Sequence, residues 1–473
     1  MIHWIVLEFN EPFPEEMTEL HNPLRNSEFR KLFTAQVIAL VGTGLATVAL
    51  TLLAYDMVGG NAGVLLGQAL AIKMVAYVVF APIVGGIAHR FNRKPLLITL
   101  DLMRAIIVLA MPFATEVWHI FVLIFLLNVF SAGFKPVFQA TIPDIINEEQ
   151  AYTRALSFSR LAYDLENLIS PALAGLALLF FTYDFLFISN SIAFLVSASL
   201  ILVTVLPGGE SVDRLGGLWQ EISFGVRSYL KTPRLRGLLV LYLGVACTSA
   251  MVIVNTVVYI REILQRSDSD VAMALAASGA GSMIAALSLP RVLNHISDRT
   301  VMLSGAIIMS LGLMTIWLSP DFVTLLAIWF MIGLGLSLVQ TPSGRIVNQS
   351  SAPTDRPSYF SAQFALSHAC WMLAYPVAGQ LGHLIGIETT ALMLGILVTL
   401  FSIVAALVWP RNDPEVIEHS HADVSHRHQH THDIHHDHFH NSDDATEDHN
   451  HHHTPLTHSH LFVIDDHHPR WPE

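Results

Sequence analysis

Twelve long apolar stretches, separated by short polar intervals, constrain the fold of this chain more than any other feature. A helix needs roughly 20 apolar residues to cross the hydrocarbon core of a bilayer, and each stretch has about that length. Because backbone polar groups inside lipid have to bond within their own segment, each stretch is predicted to be a transmembrane helix. In chain order the stretches are residues 32–55, 64–88, 96–113, 117–138, 156–181, 184–206, 237–260, 271–293, 300–318, 322–342, 359–385 and 388–409.

The twelve stretches divide into six, a polar interval and six more, which predicts an internal repeat. The sequence PALAG from Pro171 in the fifth stretch matches PVAG from Pro376 in the eleventh. We therefore predict an all-α membrane protein with 12 transmembrane helices in two pseudo-symmetric six-helix bundles, an arrangement typical of transporters. The predicted domains are an N-terminal segment 1–29, a first bundle 30–206, a linker 207–236, a second bundle 237–410 and a tail 411–473.

The overall composition excludes several classes of protein. Hydrophobic residues make up 53% and charged residues 13% of the 473 residues, and the mean hydropathy is +0.52, far too apolar for a soluble protein. No GxxxxGK[ST] phosphate-binding pattern occurs, so ATP-driven transport is not indicated. We expect neither an enzyme nor a nucleic-acid partner. The N-terminus is rich in glutamate and lacks a basic region followed by an apolar core, so no cleavable signal is expected.

Basic residues between the stretches predict the orientation in the membrane. Only Arg261 and Arg266 fall on one side, whereas the other side carries Arg30, Lys31, Arg90, Arg93, Lys94, Arg154, the basic residues of the 207–236 interval, Arg291, Arg299, Arg345, Arg356 and Arg411. The positive-inside rule places that richer side, and with it both termini, in the cytoplasm. In the interval, LWQEISFGVRSYLKTP has apolar residues every four positions, which predicts an amphipathic helix on the inner membrane surface.

The fifth stretch is unusual because SRLAYDLENLISP, Ser159 to Pro171, carries ionisable groups inside a predicted span. A charge near mid-bilayer costs at least roughly 2.5–3.5 kcal/mol, so such residues face a partner or a water-filled path. Helical spacing divides the polar residues into two stripes, Arg160 with Asp164 and Asn167, and Tyr163 with Glu166 and Ser170. Two readings stay open: Asp164 neutralises Arg160, or the segment lines the path of a cation.

Two further polar residues lie inside predicted spans. His368 falls opposite Tyr163 when the halves are aligned, and it is either a hydrogen-bonded packing residue or a ligand and proton carrier. Lys73 is expected to pair with an acid on another helix, either Asp56 or one of the fifth-span acids. The residues predicted to line the path of cargo and protons are Asp164, Glu166, Asn167, Tyr163, Arg160 and His368.

The tail after Pro410 has a different composition from the rest of the chain. It contains 18 of the 25 histidines and 13 acids against three arginines, so we predict a disordered segment. Alternate histidines share a side of an extended chain, and imidazole with carboxylate suits Ni²⁺, Co²⁺, Zn²⁺ or Cu²⁺ rather than Cu⁺. The alternatives are a pH-buffering low-complexity tail and an expression tag, although a tag is usually a pure histidine run. The predicted metal ligands are His426, His428, His430, His432, His435, His436, His438, His440, His451, His452 and His453.

The loop GGIAHRFNRKP, Gly85 to Pro95, resembles the signature loop of the major facilitator superfamily, although His89 and Asn92 replace the usual acid and glycine. The opening NSEFRKLFTAQVIALVGTGL and the TPRLRGLL entry to the seventh span are similar to its drug and siderophore exporter branch. The resemblance covers about residues 23 to 410, and the segment before Asn22 has no counterpart in the family. It implies a conformational locking role for Gly85, Arg90, Arg93, Lys94, Asp101 and Arg104.

The histidine-rich tail and the fifth-span acids together resemble the nickel-resistance exporters of that superfamily. The resemblance implies export of Ni²⁺, sometimes with Co²⁺, across the bacterial inner membrane. Moving a dication out against the membrane potential costs about 4.6 kcal/mol per 100 mV, and exchange for two protons cancels the charge moved. We expect metal ions and protons as cargo, membrane lipid as surroundings, no resident cofactor and a monomer. The alternatives are an exporter of a siderophore or other organic molecule with a metal-sensing tail, a metal-storage or sensing protein, and an importer.

Overall fold

The computed structural model describes residues 22–58, 62–206, 218–411, 413, 416–421, 424–428, 449–453, 456–461, 463–464 and 471. Within these ranges the side chains of some residues, among them His89, Asn167 and all residues of the tail strands, are not described. Short 3₁₀ turns occur at Pro23–Arg25, Ala88–Arg90, Met111–Phe113 and Ile316–Leu318. The helices of the first half are α1 Ser27–Val58, α2 Ala62–Ile87, α3 Arg93–Leu109, α4 Val117–Ile145, α5 Glu149–Ala177 and α6 Tyr183–Leu202.

The second half follows the linker helix α7 Leu218–Lys231. Its helices are α8 Pro233–Ala250, α9 Asp268–Val292, α10 Asp298–Thr315, α11 Phe322–Gln340, α12 Ser343–Gln349, α13 Arg356–Ile385 and α14 Ile387–Val408. The axis of α8 continues through a π-helical turn at Met251–Asn255, a single α-turn at Thr256–Val258 and a second π-helical turn at Tyr259–Ile263.

In the described ranges, ten helices are long and apolar enough to cross a membrane. Helices α5 and α13 lie where the fifth and eleventh spans are predicted, but they are more polar than the rest and do not belong to the ten. For α5 the reason is its charged residues, which include Arg160, Asp164 and Glu166. A multi-pass helical membrane protein is thus confirmed, and the count of twelve spans in two six-helix bundles stays a prediction.

The same helix positions pack together in each half. In the first half α1 packs on α5 and α6, α2 on α4, and α3 on α4 and α6. In the second half α8 packs on α13 and α14, α9 on α11, and α10 on α11 and α14, which are the corresponding pairs. The two halves meet where α2 and α4 contact α13 and where α5 contacts α9. Side chains of α5 and α13 are therefore at the boundary between the halves.

Helix α7 forms as predicted, and the structure shows which of its residues contact the rest of the protein. Leu230, part of the predicted apolar stripe, is 43% exposed, whereas Phe224 and Tyr229 are buried. The reason is that α7 packs against α2 and α13, where the Tyr229 hydroxyl donates to the Gln363 side chain. The helix is thereby part of the boundary between the halves.

The tail contains paired strands, which corrects the prediction that it is disordered throughout. The strands are β1 Val416–His421, β2 Val424–His428, β3 His449–His453 and β4 Leu456–Leu461, paired antiparallel as β1 with β4 and β2 with β3. In each strand, apart from His452 in β3, histidines alternate with other, mostly polar, residues, a period of two that suits an extended ribbon, and the chain returns on itself so that each strand finds a partner. The other tail residues lie largely outside the described ranges.

Candidate functional site

Arg160 and Asp164 belong to a polar cluster that joins the two halves, called the Arg160 cluster here and formed by Arg160, Asp164, Ser282 and Gln340. The Arg160 guanidinium lies 3.1 Å from Asp164 Oδ1 in the same helix, α5. It donates to Ser282 Oγ in α9 at 3.0 and 3.1 Å and to Gln340 Oε1 in α11 at 3.1 Å. The Ser282 hydroxyl donates to Asp164 Oδ2 at 2.7 Å.

Asp164 is only 7% exposed, and its charge is matched by that of Arg160. The geometry supports the first of the two readings, in which Asp164 neutralises Arg160 one turn earlier in the helix. The partners from α9 and α11 add a function that the local sequence does not reveal, because they tie the pair to the opposite half. In this conformation, the Arg160 cluster is a bridge between the halves.

Glu166 is two residues further along α5 and lies in different surroundings. Its side chain is half-buried, and the charges that act on its carboxylate are the ammonium groups of Lys135 in α4 and Lys73 in α2. Helix α1 comes close at this level because Gly44 has no side chain: a Cβ there would collide with Ser170 and lie 3.5 Å from Glu166 Cγ. Ser170 and Glu166 therefore face α1, as the second polar stripe predicts.

The Tyr77 ring links the two lysines. The Lys135 ammonium donates to the Tyr77 hydroxyl at 3.3 Å and lies 5.2 Å from the ring centroid, and the Lys73 ammonium lies 5.7 Å from that centroid. Sequence reasoning missed Lys135 altogether. Lys135 lies only three residues from the end of the fourth predicted span, where a long basic side chain is expected to reach the membrane surface, whereas the helix continues to Ile145.

His368 completes this group from the other half. Its ring lies edge-on to Tyr77 with the centroids 4.8 Å apart, and Nδ1 lies 2.7 Å from the Phe364 carbonyl oxygen. Because a carbonyl only accepts, Nδ1 carries the proton, and a neutral ring would leave Nε2 as an acceptor or metal ligand. Lys73, Tyr77, Lys135, Glu166 and His368 together are called the central cluster below.

Aromatic rings surround His368 on its own helix. Phe364 and Trp371 have centroids 4.1 and 5.0 Å from the imidazole, and Tyr77 packs on Phe364 at 4.9 Å. Among the described residues, the buried Trp371 Nε1 has no hydrogen-bond partner. The central cluster thus combines one acid, two amines and an imidazole with an aromatic wall.

The end of the molecule at which α2 ends and α3 begins, the basic end, is closed by contacts between the halves. Asp144 at the end of α4 forms ion pairs with Arg93 and with Arg356, the first residue of α13. The Gly85 carbonyl accepts from the Ser358 hydroxyl at 3.0 Å. A Cβ at Gly85 would collide with Ser361, so the close approach of α2 and α13 requires glycine here.

A second set of contacts closes the same end between α5 and α12. Arg345 forms ion pairs with Glu149 and with Asp298, the latter at 3.2 Å, and donates to Thr153 Oγ1 at 2.8 Å. The Tyr152 hydroxyl donates to the Gly344 carbonyl at 3.2 Å. The structure therefore represents a conformation in which the basic end is shut.

The residues predicted to lock conformations occupy different places. Gly85 and Arg93 take part in closing the basic end, whereas Arg90 is exposed and Lys94 is half-exposed nearby. Asp101 and Arg104 form a buried ion pair inside the first half, with the Ser197 hydroxyl donating to Asp101 at 2.7 Å. Asp101 and Arg104 thus brace α3 against α6, and the contacts described for them, with Ser197, Phe134 and Phe194, lie within the first half.

Within the described side chains, no group of three or more histidine, cysteine, aspartate or glutamate residues is arranged to hold a metal ion. The predicted ligands in the tail are not tested by this observation. His426, His428, His451, His452 and His453 lie in described strands, but their side chains are not described. The rest lie outside the described residues: His430, His432, His435, His436, His438 and His440.

Known proteins resemble this chain in both sequence and fold. The family model "Major Facilitator Superfamily" matches residues 32–259 and 238–441. The uncharacterized MFS-type transporter YfiS of Bacillus subtilis (strain 168) is 24% identical over 395 residues, which are 80% of this chain and 92% of YfiS. Macrolide efflux protein A of Streptococcus pyogenes is 24% identical over 154 residues, but the match spans only 37% of that protein.

Two further comparisons agree with these matches. Multidrug resistance protein MdtG of Enterobacter lignolyticus (strain SCF1) is 26% identical over 188 residues, which are 39% of this chain and 43% of MdtG. The crystal structure of the human organic anion transporter MFSD10 superposes with a TM-score of 0.68 at 11% identity, covering 80% of this chain and 98% of that one. At that identity the likeness establishes the fold alone. With the family match extending over most of the helical body, the chain belongs to the Major Facilitator Superfamily and is a membrane transporter.

Proposed function

We propose that this transporter exports a divalent transition-metal cation, Ni²⁺ first and Co²⁺ second, from the cytoplasm in exchange for protons by alternating access. The observation that carries the proposal is the central cluster at the boundary between the halves, where the charges of two lysines act on both the Glu166 carboxylate and the His368 imidazole. The tail supports a metal as cargo, because 18 of its residues are histidines.

Charge competition in the central cluster explains why a cation would exchange with protons. With both lysines protonated and Glu166 ionised, the cluster has a net charge of +1. Two unit charges about 5 Å apart interact with about 3 kcal/mol at an effective dielectric constant of 20, and a dication doubles that repulsion. A dication therefore binds to Glu166 and His368 only when the amines lose protons or move away, which couples cargo to protons.

The two acids of α5 would then have separate roles. From the sequence, both Asp164 and Glu166 are predicted to lie on the path of cargo and protons. The ion pair and hydrogen bonds of Asp164 favour a structural role instead, as part of a bridge that breaks and reforms when the halves move. Glu166, with His368 as a second group, is the acid that we assign to cargo and proton exchange.

Loading from the cytoplasm requires the basic end to open. By the positive-inside rule this end faces the cytoplasm, so the described conformation would be the one that releases cargo outside. Opening breaks the Asp144–Arg356 and Arg345–Glu149 ion pairs and separates Gly85 from Ser358. Both sets of contacts cross the boundary between the halves, as alternating access by rocking of the halves requires.

A second candidate is export of an organic molecule, with the tail sensing metal. The aromatic wall of Phe364, Trp371 and Tyr77 favours it, as does the free indole donor of Trp371 within the described residues. Relatives named for macrolide efflux and multidrug resistance point to the same class.

Cellular accumulation of cargo distinguishes the two candidates. Cells with and without the gene are loaded with Ni²⁺, Co²⁺, Zn²⁺ or a macrolide, and the retained amount is measured for the wild type, Glu166→Gln and a matched control, Glu262→Gln. Glu262 is exposed in the π-helical turn Tyr259–Ile263. Lower Ni²⁺ or Co²⁺ retention that depends on Glu166 supports metal export. Lower retention of the macrolide alone supports the second candidate, and unchanged retention of every compound contradicts both.

A further inference from the structure

Strand pairing in the tail places nearly all of the strand histidines on one face of each ribbon. In the β1–β4 ribbon the paired positions include His419 with His458, Ile417 with His460 and His421 with Leu456. Directly paired residues of an antiparallel ribbon share a face, and so do alternate residues along each strand. His419, His421, His458 and His460 therefore share one face, and the opposite face of this ribbon carries no histidine.

The β2–β3 ribbon has the same arrangement. His426 pairs with His451 and His428 with His449, while His452 pairs with Ser425 on the opposite face. The segregation depends on the register of pairing, because a slip of one residue would move a whole strand's histidines to the other face. The number of histidines in the tail does not by itself place them on one face, because the face depends on which residues are paired.

The β1–β4 ribbon is also held against the helical body at its base. Before β1, Asp413 lies 3.5 Å from the guanidinium of the buried Arg234 and accepts from Trp409 Nε1 at 3.0 Å. After β4, Val463 and Ile464 are buried, and the Tyr359 hydroxyl donates to the Ile464 carbonyl at 2.8 Å. The Arg234 guanidinium also lies over the Trp471 ring, 5.2 Å from its centroid.

Arg234 thus contacts both arms of the tail, the one that leaves α14 and the one that returns after β4. Tyr359 lies in the first turn of α13, next to Arg356, which closes the basic end through Asp144. The start of β1 and the end of β4 are both held against the helical body, so the two strands have lost part of their conformational freedom before any ligand binds. A ligand that uses both strands would accordingly bind more tightly than to a free chain of the same composition.

We propose that the directly paired His419 and His458 form a binding site for one divalent transition-metal ion at the base of the tail, with His421 or His460 on the same face as a third nitrogen donor. None of these four histidines belongs to the alternating run that the sequence pattern singles out. Three nitrogen donors without thiolate suit Zn²⁺, Ni²⁺, Co²⁺ or Cu²⁺. Its use as a loading site beside the basic end depends on the proposed metal export, whereas binding itself does not.

The test exchanges neighbouring residues so that the composition stays the same. One variant combines His419→Ser with Ser420→His, and a second combines His458→Ser with Ser459→His; each moves one histidine to the opposite face. Purified full-length protein in detergent is titrated with Ni²⁺ by calorimetry in competition with a chromophoric chelator. We expect each variant to lose at least roughly tenfold in affinity at the tightest site, the lower end of what disturbing a metal site costs.

The controls separate this site from the rest of the tail and from transport. His452→Ala, on the opposite face of the other ribbon, should leave the tightest site unchanged. Tyr359→Phe should weaken it by a smaller factor, because the returning arm loses one anchor. Glu166→Gln should keep full affinity even though transport is lost. If both exchange variants bind Ni²⁺ as tightly as the wild type, the tail binds by composition alone and the proposal is wrong.

Discussion

Asp164 and Glu166 are two residues apart on α5, yet opposite charges balance around Asp164 in the Arg160 cluster and do not balance around Glu166 in the central cluster. In the Arg160 cluster, an ion pair and hydrogen bonds from α9 and α11 match each charge. In the central cluster, two lysines face one carboxylate and an imidazole, so the charges do not cancel. A matched cluster stabilises one conformation, whereas an unmatched one changes its protonation when an ion arrives. The difference indicates which acid holds the halves together and which exchanges protons.

The largest effect is expected from Arg160→Met, which would test the bridging role of the Arg160 cluster. The change leaves the buried Asp164 carboxylate without its partner, and removing one member of a buried pair costs about 3–5 kcal/mol. Thermal unfolding in detergent should show a clearly lower Tm. Adding Asp164→Leu should recover most of the loss; a double variant as unstable as the single one would contradict the assignment.

Glu166→Gln comes next and tests the exchanging role of the central cluster. The amide cannot bind and release a proton in the transport cycle, so proton-driven efflux from everted vesicles should fall at least roughly a hundredfold, or about 2.7 kcal/mol. The Tm should stay close to that of the wild type, because Glu166 is not part of the bridge. Glu262→Gln removes the same charge outside the cluster and should transport normally. Normal efflux by Glu166→Gln would instead assign the exchange to another group.

Gly85→Ala asks whether the basic end shares the locking role with the Arg160 cluster. The added methyl group collides with Ser361, and overpacking of this kind costs about 1–3 kcal/mol. The closed conformation should lose population, which labelling of a single cysteine introduced at the basic end would report as faster modification. Ser361→Gly in the same chain should restore the wild-type rate. If Gly85→Ala leaves the rate of cysteine modification unchanged, the closed conformation is stabilised mainly by the Arg160 cluster.

The smallest effect is expected from Lys135→Met, which tests whether the excess positive charge of the central cluster weakens the binding of a cation. Removing one ammonium group lowers the repulsion that a cation meets at Glu166, so metal affinity should rise by about tenfold, or 1.4 kcal/mol, while proton coupling weakens. Binding of Ni²⁺ to a protein without the tail, measured at two pH values, gives both quantities. Lower affinity for the metal together with lower affinity for a macrolide would favour the organic cargo.

Much of the fold could be predicted from the sequence because lipid allows few alternatives. Apolar length fixes where helices form, as the agreement between the predicted stretch 184–206 and α6 Tyr183–Leu202 illustrates. The second polar stripe of α5 was also predicted correctly, since helical spacing is local. The residues that α7 buries against the helical body were not predicted, because their partners Gln363 and Ser358 lie more than 130 residues away in sequence.

The sequence by itself determined that this chain is a multi-pass helical protein, that one helix carries charges inside the membrane and that the tail is rich in metal-ligating residues. These properties follow from composition and from spacing along a single segment. Only the tertiary structure decided that Asp164 is bridged to Ser282 while Glu166 faces Lys73 and Lys135, and that the tail histidines segregate by face. The physical reason is that the net charge around a group, and the partner of a strand, depend on segments that only folding brings together.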